Sequence, residues 1–307
     1  MWRRFGQYRQ DRRALKKGKT LSQSAIFAIV EQELRIDISI PKKRWRKHSD
    51  FSYLKPLIDA AKERIRLAEN SEDHDAIAAA WLRSLILQAP HAAQAQVQMD
   101  KHKHSFHNKT ARVMELIDFN DAYVSTVLAM PDDHLHAFNE ELKRLIDWFC
   151  KRVGAWSFSN EQFEAIAHGL SREIAVYNAV NRAGFDVSMT SRAEDAFGID
   201  MRITDRVTRR MVNIDTKTSS AFHYRLIDLL REGRLSAADI DLAERRGFVA
   251  VFNGYGDQKV RVILWRIDPG TLGDITDFAF QRTDPLIKEL GEILKEYGEL
   301  EEEIWTN

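Results

Sequence analysis

Residues 210–218 read RMVNIDTKT, and two kinds of side chain alternate along them. Val212, Ile214 and Thr216 fall on one face of an extended segment; Asn213, Asp215 and Lys217 fall on the other. The preceding GIDMRIT, residues 198–204, has the same texture, and five mostly polar residues, DRVTR, separate the two runs. The pattern predicts a β-hairpin. With its turn centred near Val207 and Thr208, Ile203 faces Val212, Met201 faces Ile214 and Ile199 faces Thr216 on an apolar side. Arg202 then faces Asn213, Asp200 faces Asp215 and Gly198 faces Lys217 on a polar side.

That register has a chemical consequence. Directly opposed residues have Cβ atoms about 4.5–5.5 Å apart, and like charges there repel. Two opposed aspartates call for a proton or a cation, and a hard divalent ion such as Mg²⁺ prefers such oxygen ligands. Gly198 leaves room for a substrate to approach the Lys217 ammonium. The plain alternative is a surface ion pair between Asp215 and Lys217, because D-x-K spacing is common on exposed strands.

Upstream, Ser159-Asn160-Glu161 open a helix expected to run to about Arg182 and to stop at Gly184. The spacing of Ile166, Leu170, Glu173, Tyr177 and Val180 sets Glu173 within the apolar stripe, where a carboxylate is costly unless paired or near a metal. FDVSMTS then reads as a strand. Downstream come two helical segments, FHYRLIDLLREG and SAADIDLAERR, the second N-capped by Ser236. GFVAVFN and KVRVILWRI read as strands around the turn Gly254-Tyr255-Gly256-Asp257, and DPLIKELGEILKEYGELEEE reads as a terminal helix.

A helix bearing Glu, a strand, G-x-D on the next strand and D-x-K on the third resembles the PD-(D/E)xK nuclease superfamily. The matching text is LSREIAVYNAVNRAGFDV, FGID and VNIDTK, within roughly residues 160–268. The resemblance implies a restriction-endonuclease-like fold, a mixed sheet flanked by helices. It further implies that Asp200 and Asp215 are metal ligands, that Lys217 is the catalytic lysine, and that Glu173 is the helix carboxylate that helps to hold Mg²⁺ or Mn²⁺. The implied reaction is phosphodiester hydrolysis leaving a 5′-phosphate. The sequence departs from the pattern in places: Ile199 replaces the proline that names the motif, and Asp215 stands where Glu is commoner. Tyr224 lacks the Gln that accompanies it in the RecB-like branch, and a single cysteine excludes a four-cysteine iron–sulfur cluster.

The first half has a different texture. AIFAIVEQELRI, LKPLIDAAKERIRLAE, HDAIAAAWLRSLILQ and HAFNEELKRLIDWFCKRV repeat apolar residues every three or four positions, a helical period. Pro41, Pro56, Pro90 and Pro131 are expected near the joints. The division read from the sequence is a basic arm over 1–20, an all-helical domain over 21–155 and the nuclease-like domain over 156–307.

Net charge is zero, but residues 1–50 hold fourteen Lys and Arg against five Asp and Glu, so the rest of the chain is acidic. Arg3, Arg4, Arg12 and Arg13 in the arm suit contact with a polyanion. KKRWRKH sets Lys42, Lys43, Arg44, Arg46 and Lys47 around Trp45, a texture for phosphate contacts with base packing, or equally for a solvated loop anchored by Trp45. DNA is the expected partner over RNA, with a homodimer or a protein partner met through the helical domain. His102, His104 and His107, like His134 and His136, lack a completing carboxylate or cysteine pattern and read as polar helix junctions. Cys150 falls on an apolar helix stripe with Leu145 and Phe149. Glu194, Asp195 and Asp205 read as solvated loop carboxylates. Ser219, next on the polar face after Lys217, either touches a phosphate or ends the strand.

The basic start lacks an apolar signal core and no apolar run reaches the roughly 18 residues of a membrane span, so the expectation is a cytoplasmic protein that meets no membrane. The expected activity is that of a metal-dependent DNA endonuclease. The rival readings are an inactive nuclease-fold module that binds nucleic acid or protein, and a hydrolase centred on the histidines.

Overall fold

The computed structural model describes residues 23–37, 51–71, 73–101, 109–190, 194, 198–255 and 258–300. Arg3, Arg4, Arg12, Arg13, Lys42, Lys43, Arg44, Trp45, Arg46 and Lys47 lie outside the described residues, as do Pro41, His102, His104, His107 and Asp195. The chain is mixed α+β, a helical region followed by a small mixed sheet flanked by helices. It divides into two compact units, one ending at Leu170 and the other beginning at Ser171.

The first unit contains α1 (Gln23–Asp37), α2 (Lys55–Glu69), α3 (His74–Lys101), α4 (Lys109–Ala129) and α5 (Phe138–Val153). Helix α5 buries Phe138, Leu142, Leu145, Ile146, Phe149, Cys150 and Val153, a stripe at steps of three and four. Gly154, at φ 71°, ends it. Pro56 occupies the first turn of α2, where its missing N–H costs nothing. Pro90 departs from expectation, for it lies inside α3 rather than at a joint. A proline there costs about 3 kcal/mol. Leu82, Leu85, Ile86, Leu87, Ala89, Ala92, Ala93 and Ala95 around it are all buried, and that burial holds the helix together.

Helix α6 (Asn160–Arg182) leads into the second unit. It closes as expected at Gly184: the Gly184 N–H donates to Asn181 O and the Phe185 N–H to Val180 O, at 3.0 and 3.3 Å. Its buried line differs from the sequence reading. Phe163, Ala167, Leu170 and Ile174 are buried, Ile166 and Tyr177 are half-buried, and Glu173 flanks the line.

The sheet contains β1 (Asp186–Met189), β2 (Met201–Thr204), β3 (Arg210–Lys217), β4 (Phe248–Tyr255) and β5 (Gln258–Arg266), in the spatial order β1-β2-β3-β5-β4. All pairs are antiparallel except β3 and β5, which run parallel. Helices α7 (Ser219–Arg231) and α8 (Ala237–Arg246) form the crossover between β3 and β4. Thr218 caps α7 through its hydroxyl, and Ser236 and Asp239 form a capping box on α8. Beyond β5 come a short turn of helix, α9 (Pro269–Leu272), a small hairpin of β6 (Ile275–Thr276) and β7 (Ala279–Phe280), and α10 (Asp284–Tyr297). The terminal helix is shorter than its sequence pattern: it stops at Tyr297, and β8 (Glu299–Leu300) pairs with the start of β3.

The two faces of the sheet bury different cores. Met201, Ile203, Val212, Ile214, Ile263 and Trp265 pack against α6 and α10. Val251, Val262 and Leu264 pack against Phe222, Leu226 and Leu229 of α7 and Ala243 of α8. Alternation along β3 puts Asp215 and Lys217 on the α7–α8 face, opposite to Ile214.

Candidate active site

The expected register of β2 against β3 is present where the two strands pair: Met201 with Ile214, Arg202 with Asn213 and Ile203 with Val212. It ends one residue before the aspartate. Strand β2 begins at Met201, so Gly198, Ile199 and Asp200 do not continue the ladder. The Asp200 N–H still donates to Ile214 O at 2.8 Å, but its carboxylate turns onto β3, where Oδ2 accepts from the Thr216 N–H at 2.7 Å and the Thr216 hydroxyl at 2.9 Å. Ile199 was expected beside Met201. It packs instead with Val262 and Leu264 on the other face, because the chain crosses over at Asp200. Gly198, at φ 74°, was expected opposite Lys217; a Cβ there would lie 3.7 Å from Asp215 Oδ2. The left-handed conformation breaks the strand, and only glycine adopts it without strain.

Asp215 is 5% exposed, and Lys217 bonds its Oδ1 from two residues along the same face. Burial, joined by the charge of Asp200, pushes the Asp215 carboxyl up to about 7; Lys217 and Arg225 oppose this only in part. Burial alone would lower the Lys217 ammonium. Asp200, Asp215 and Glu173 outweigh it, and the net direction is upward, so Lys217 is held as a cation. Three carboxylates therefore act on the one ammonium, and the charges of Arg172 and Arg225 act on the same carboxylates.

Glu173 is half-buried on α6 beside Arg172, whose guanidinium is buried. Burial lowers the Arg172 pKa, and Glu173 and Asp200 work against that shift. Among the described residues no three His, Cys, Asp or Glu side chains converge as a metal-binding group. Mg²⁺ needs only one or two carboxylates and keeps water in its remaining positions. Asp200 Oδ1 and Asp215 Oδ2 take no hydrogen bond among the described residues, so each aspartate has an oxygen to offer. The donor set is all oxygen, its charges repel one another, and it fits a hard divalent cation.

The other sequence candidates have structural partners. Glu194 pairs with Arg202 at 2.6 Å. Asp205 caps the β2–β3 turn, accepting from the Val207 N–H and the Thr208 hydroxyl at 2.8 Å each. Ser219 is the first residue of α7, and Tyr224 lies exposed on that helix. His134 and His136 sit in the turn before α5. Cys150 is fully buried, and burial pushes its thiol up to about 12.

Sequence reasoning missed Arg172, Thr216, Arg225 and Asn253. Thr216 and Arg172 each adjoin a residue already singled out, and that adjacency was the available signal. Arg225 lies nearly two turns into α7, and its charge acts on Asp215. Asn253 has no local signal, since it belongs to a strand two places away in the sheet.

No protein-family model matches this chain, and neither the curated proteins nor the solved structures include a significant match.

Proposed function

We propose that the chain is a metal-dependent nuclease of restriction-endonuclease-like fold that hydrolyses nucleic-acid phosphodiester bonds, DNA foremost. The observation that carries this reading is the meeting of Asp200, Asp215 and Lys217 at the end of β3, with the charge of Glu173 acting on the same lysine. A purely structural ion pair has no use for a second carboxylate whose charge acts on the first.

Asp200 and Asp215 would hold Mg²⁺ or Mn²⁺ through their remaining oxygens, with Glu173 reaching it through water. Such an ion, when bound, polarises a phosphate oxygen and lowers the pKa of a water. Thr216 fixes the direction of the Asp200 carboxylate. Lys217 sets a permanent positive charge beside the reacting phosphate, where negative charge grows in the transition state. Burial of Asp215 keeps bulk water away and strengthens each of these interactions.

The test is incubation of the purified protein with plasmid, linear duplex, single-stranded DNA and RNA in Mg²⁺ or Mn²⁺, with and without EDTA. Cleavage of DNA that stops with EDTA supports the reading. Binding without cleavage on every substrate, in either metal, leaves a nucleic-acid-binding module in its place.

A further inference from the structure

Two arginines meet on one exposed carboxylate at the end of α7. Glu232 follows the helix, and Gly233, at φ 68°, turns the chain back on it. The Gly233 N–H donates to Leu230 O and the Arg234 N–H to Leu229 O, at 3.0 and 2.9 Å, which sets Arg234 alongside the last turn. Arg234 donates to Glu232 Oε2 at 3.0 Å, and Arg225, about two turns earlier, donates to Oε1 at 3.3 Å. All three side chains are open to solvent, each arginine at 32% and Glu232 at 45%.

This fork stands beside the site. Arg234 also donates to Phe252 O and, at 2.9 Å, to Asn253 Oδ1, so β4 holds it in place without Glu232. A Cβ built on Gly198 would lie 3.4 Å from Asn253 Nδ2 and 3.7 Å from Asp215 Oδ2, so Asn253 and Asp215 border the same glycine. The Arg225 charge acts on Asp215. His223 bonds Glu244 of α8 at 2.7 Å, and Arg225, two residues on, lies about 200° round α7, on the flank turned from α8.

Two guanidinium charges against one carboxylate leave one positive charge over. Exposed arginine–carboxylate pairs contribute little to stability, so Glu232 is readily released. A phosphodiester carries the same single charge on two free oxygens, and guanidinium groups bind such oxygens through charge-assisted hydrogen bonds.

We propose that Arg225 and Arg234 form a surface fork for a backbone phosphate of the nucleic acid, which Glu232 occupies in the free protein and the phosphate takes over on binding. The phosphate is one beside the scissile group, met at the surface without entry to the buried Asp215. This rests on the reading of the chain as a nuclease, and the assay separates the two.

Glu232→Gln is the deciding variant, because its effect is a gain. Binding of a fluorescein-labelled DNA duplex is followed by anisotropy in Ca²⁺ over a range of salt, and cleavage is followed in Mg²⁺. Glu232→Gln frees both guanidinium groups and is expected to bind about threefold tighter or more. Arg225→Gln is expected to bind about tenfold more weakly, with a salt slope shallower by about one. Asp228→Asn makes the same charge change on α7 but frees only Arg231, its partner at 3.3 Å, and is expected to stay within about twofold of native. Glu232→Gln binding no tighter than Asp228→Asn, or Arg225→Gln binding as the native protein does, overturns the fork. If the native protein cuts DNA and both fork variants bind and cut equally well, the fork fails and the hydrolytic reading stands. If the native protein binds without cutting, while Glu232→Gln tightens and Arg225→Gln weakens binding, the fork stands and the hydrolytic reading fails.

Discussion

Thr216 grips Asp200 twice, through its backbone N–H at 2.7 Å and its hydroxyl at 2.9 Å, both on Oδ2. The two residues lie on different strands, and this pair of bonds takes the place of the ladder that β2 no longer continues. Thr216→Val keeps the shape and the backbone bond but removes the hydroxyl. Urea unfolding is expected to show a loss of about 1 kcal/mol, and cleavage is expected to slow because the Asp200 carboxylate is less well aimed. Unchanged stability and rate would mean that the hydroxyl bond has no role.

Divalent-ion binding gives a second expectation. Calorimetric titration with Mn²⁺ should show a site that weakens at least tenfold in Asp200→Asn or Asp215→Asn, each variant removing one anionic oxygen ligand. Native affinity retained in both variants would place the ion elsewhere.

Away from the site, Trp265 donates its indole N–H to Glu289 Oε2 at 2.9 Å. Burial raises the Glu289 pKa, while the Trp265 bond and the Arg266 charge oppose that shift. A carboxyl raised in the fold contributes its full stability below its unfolded value, 4.5, and loses that contribution as pH rises through the folded value. Glu289→Gln keeps an acceptor for Trp265 and removes the charge. Its melting temperature should exceed the native one at neutral pH, and the difference should vanish in acid. A constant difference across pH would show that Glu289 is not destabilised by ionisation.

Cys150 offers a probe of the first unit. Its thiol is fully buried and pushed up to about 12, so almost no thiolate exists at neutral pH. Iodoacetamide should leave the folded protein unlabelled and modify it at once in denaturant. Rapid labelling of the native state would show that α5 opens readily.

The period-two pattern of RMVNIDTKT against GIDMRIT gave the register from Met201 to Ile203 and the meeting of Asp200 with the Asp215 strand. It failed at Ile199, because a glycine in the left-handed region and a carboxylate that takes the Thr216 N–H are tertiary events with no periodic trace. Pro90 misled for a related reason: burial on all sides of α3 outweighs a local preference. Along α6 the apolar spacing put Glu173 within the stripe, whereas the buried charge proved to be Arg172, with Glu173 at its flank. Asn253 was out of reach, since nothing near it in the chain says which loop will cross its strand.

The central claim is that Asp215 and Lys217 cut nucleic acid with a divalent ion, and the rate of DNA cleavage in native, Asp215→Ala and Lys217→Ala protein tests it most directly. Circular dichroism first confirms that each variant is folded. Mg²⁺- or Mn²⁺-dependent cleavage is expected of the native protein, with rates at least ~100-fold lower in both variants. Cleavage at the native rate in either folded variant would contradict it.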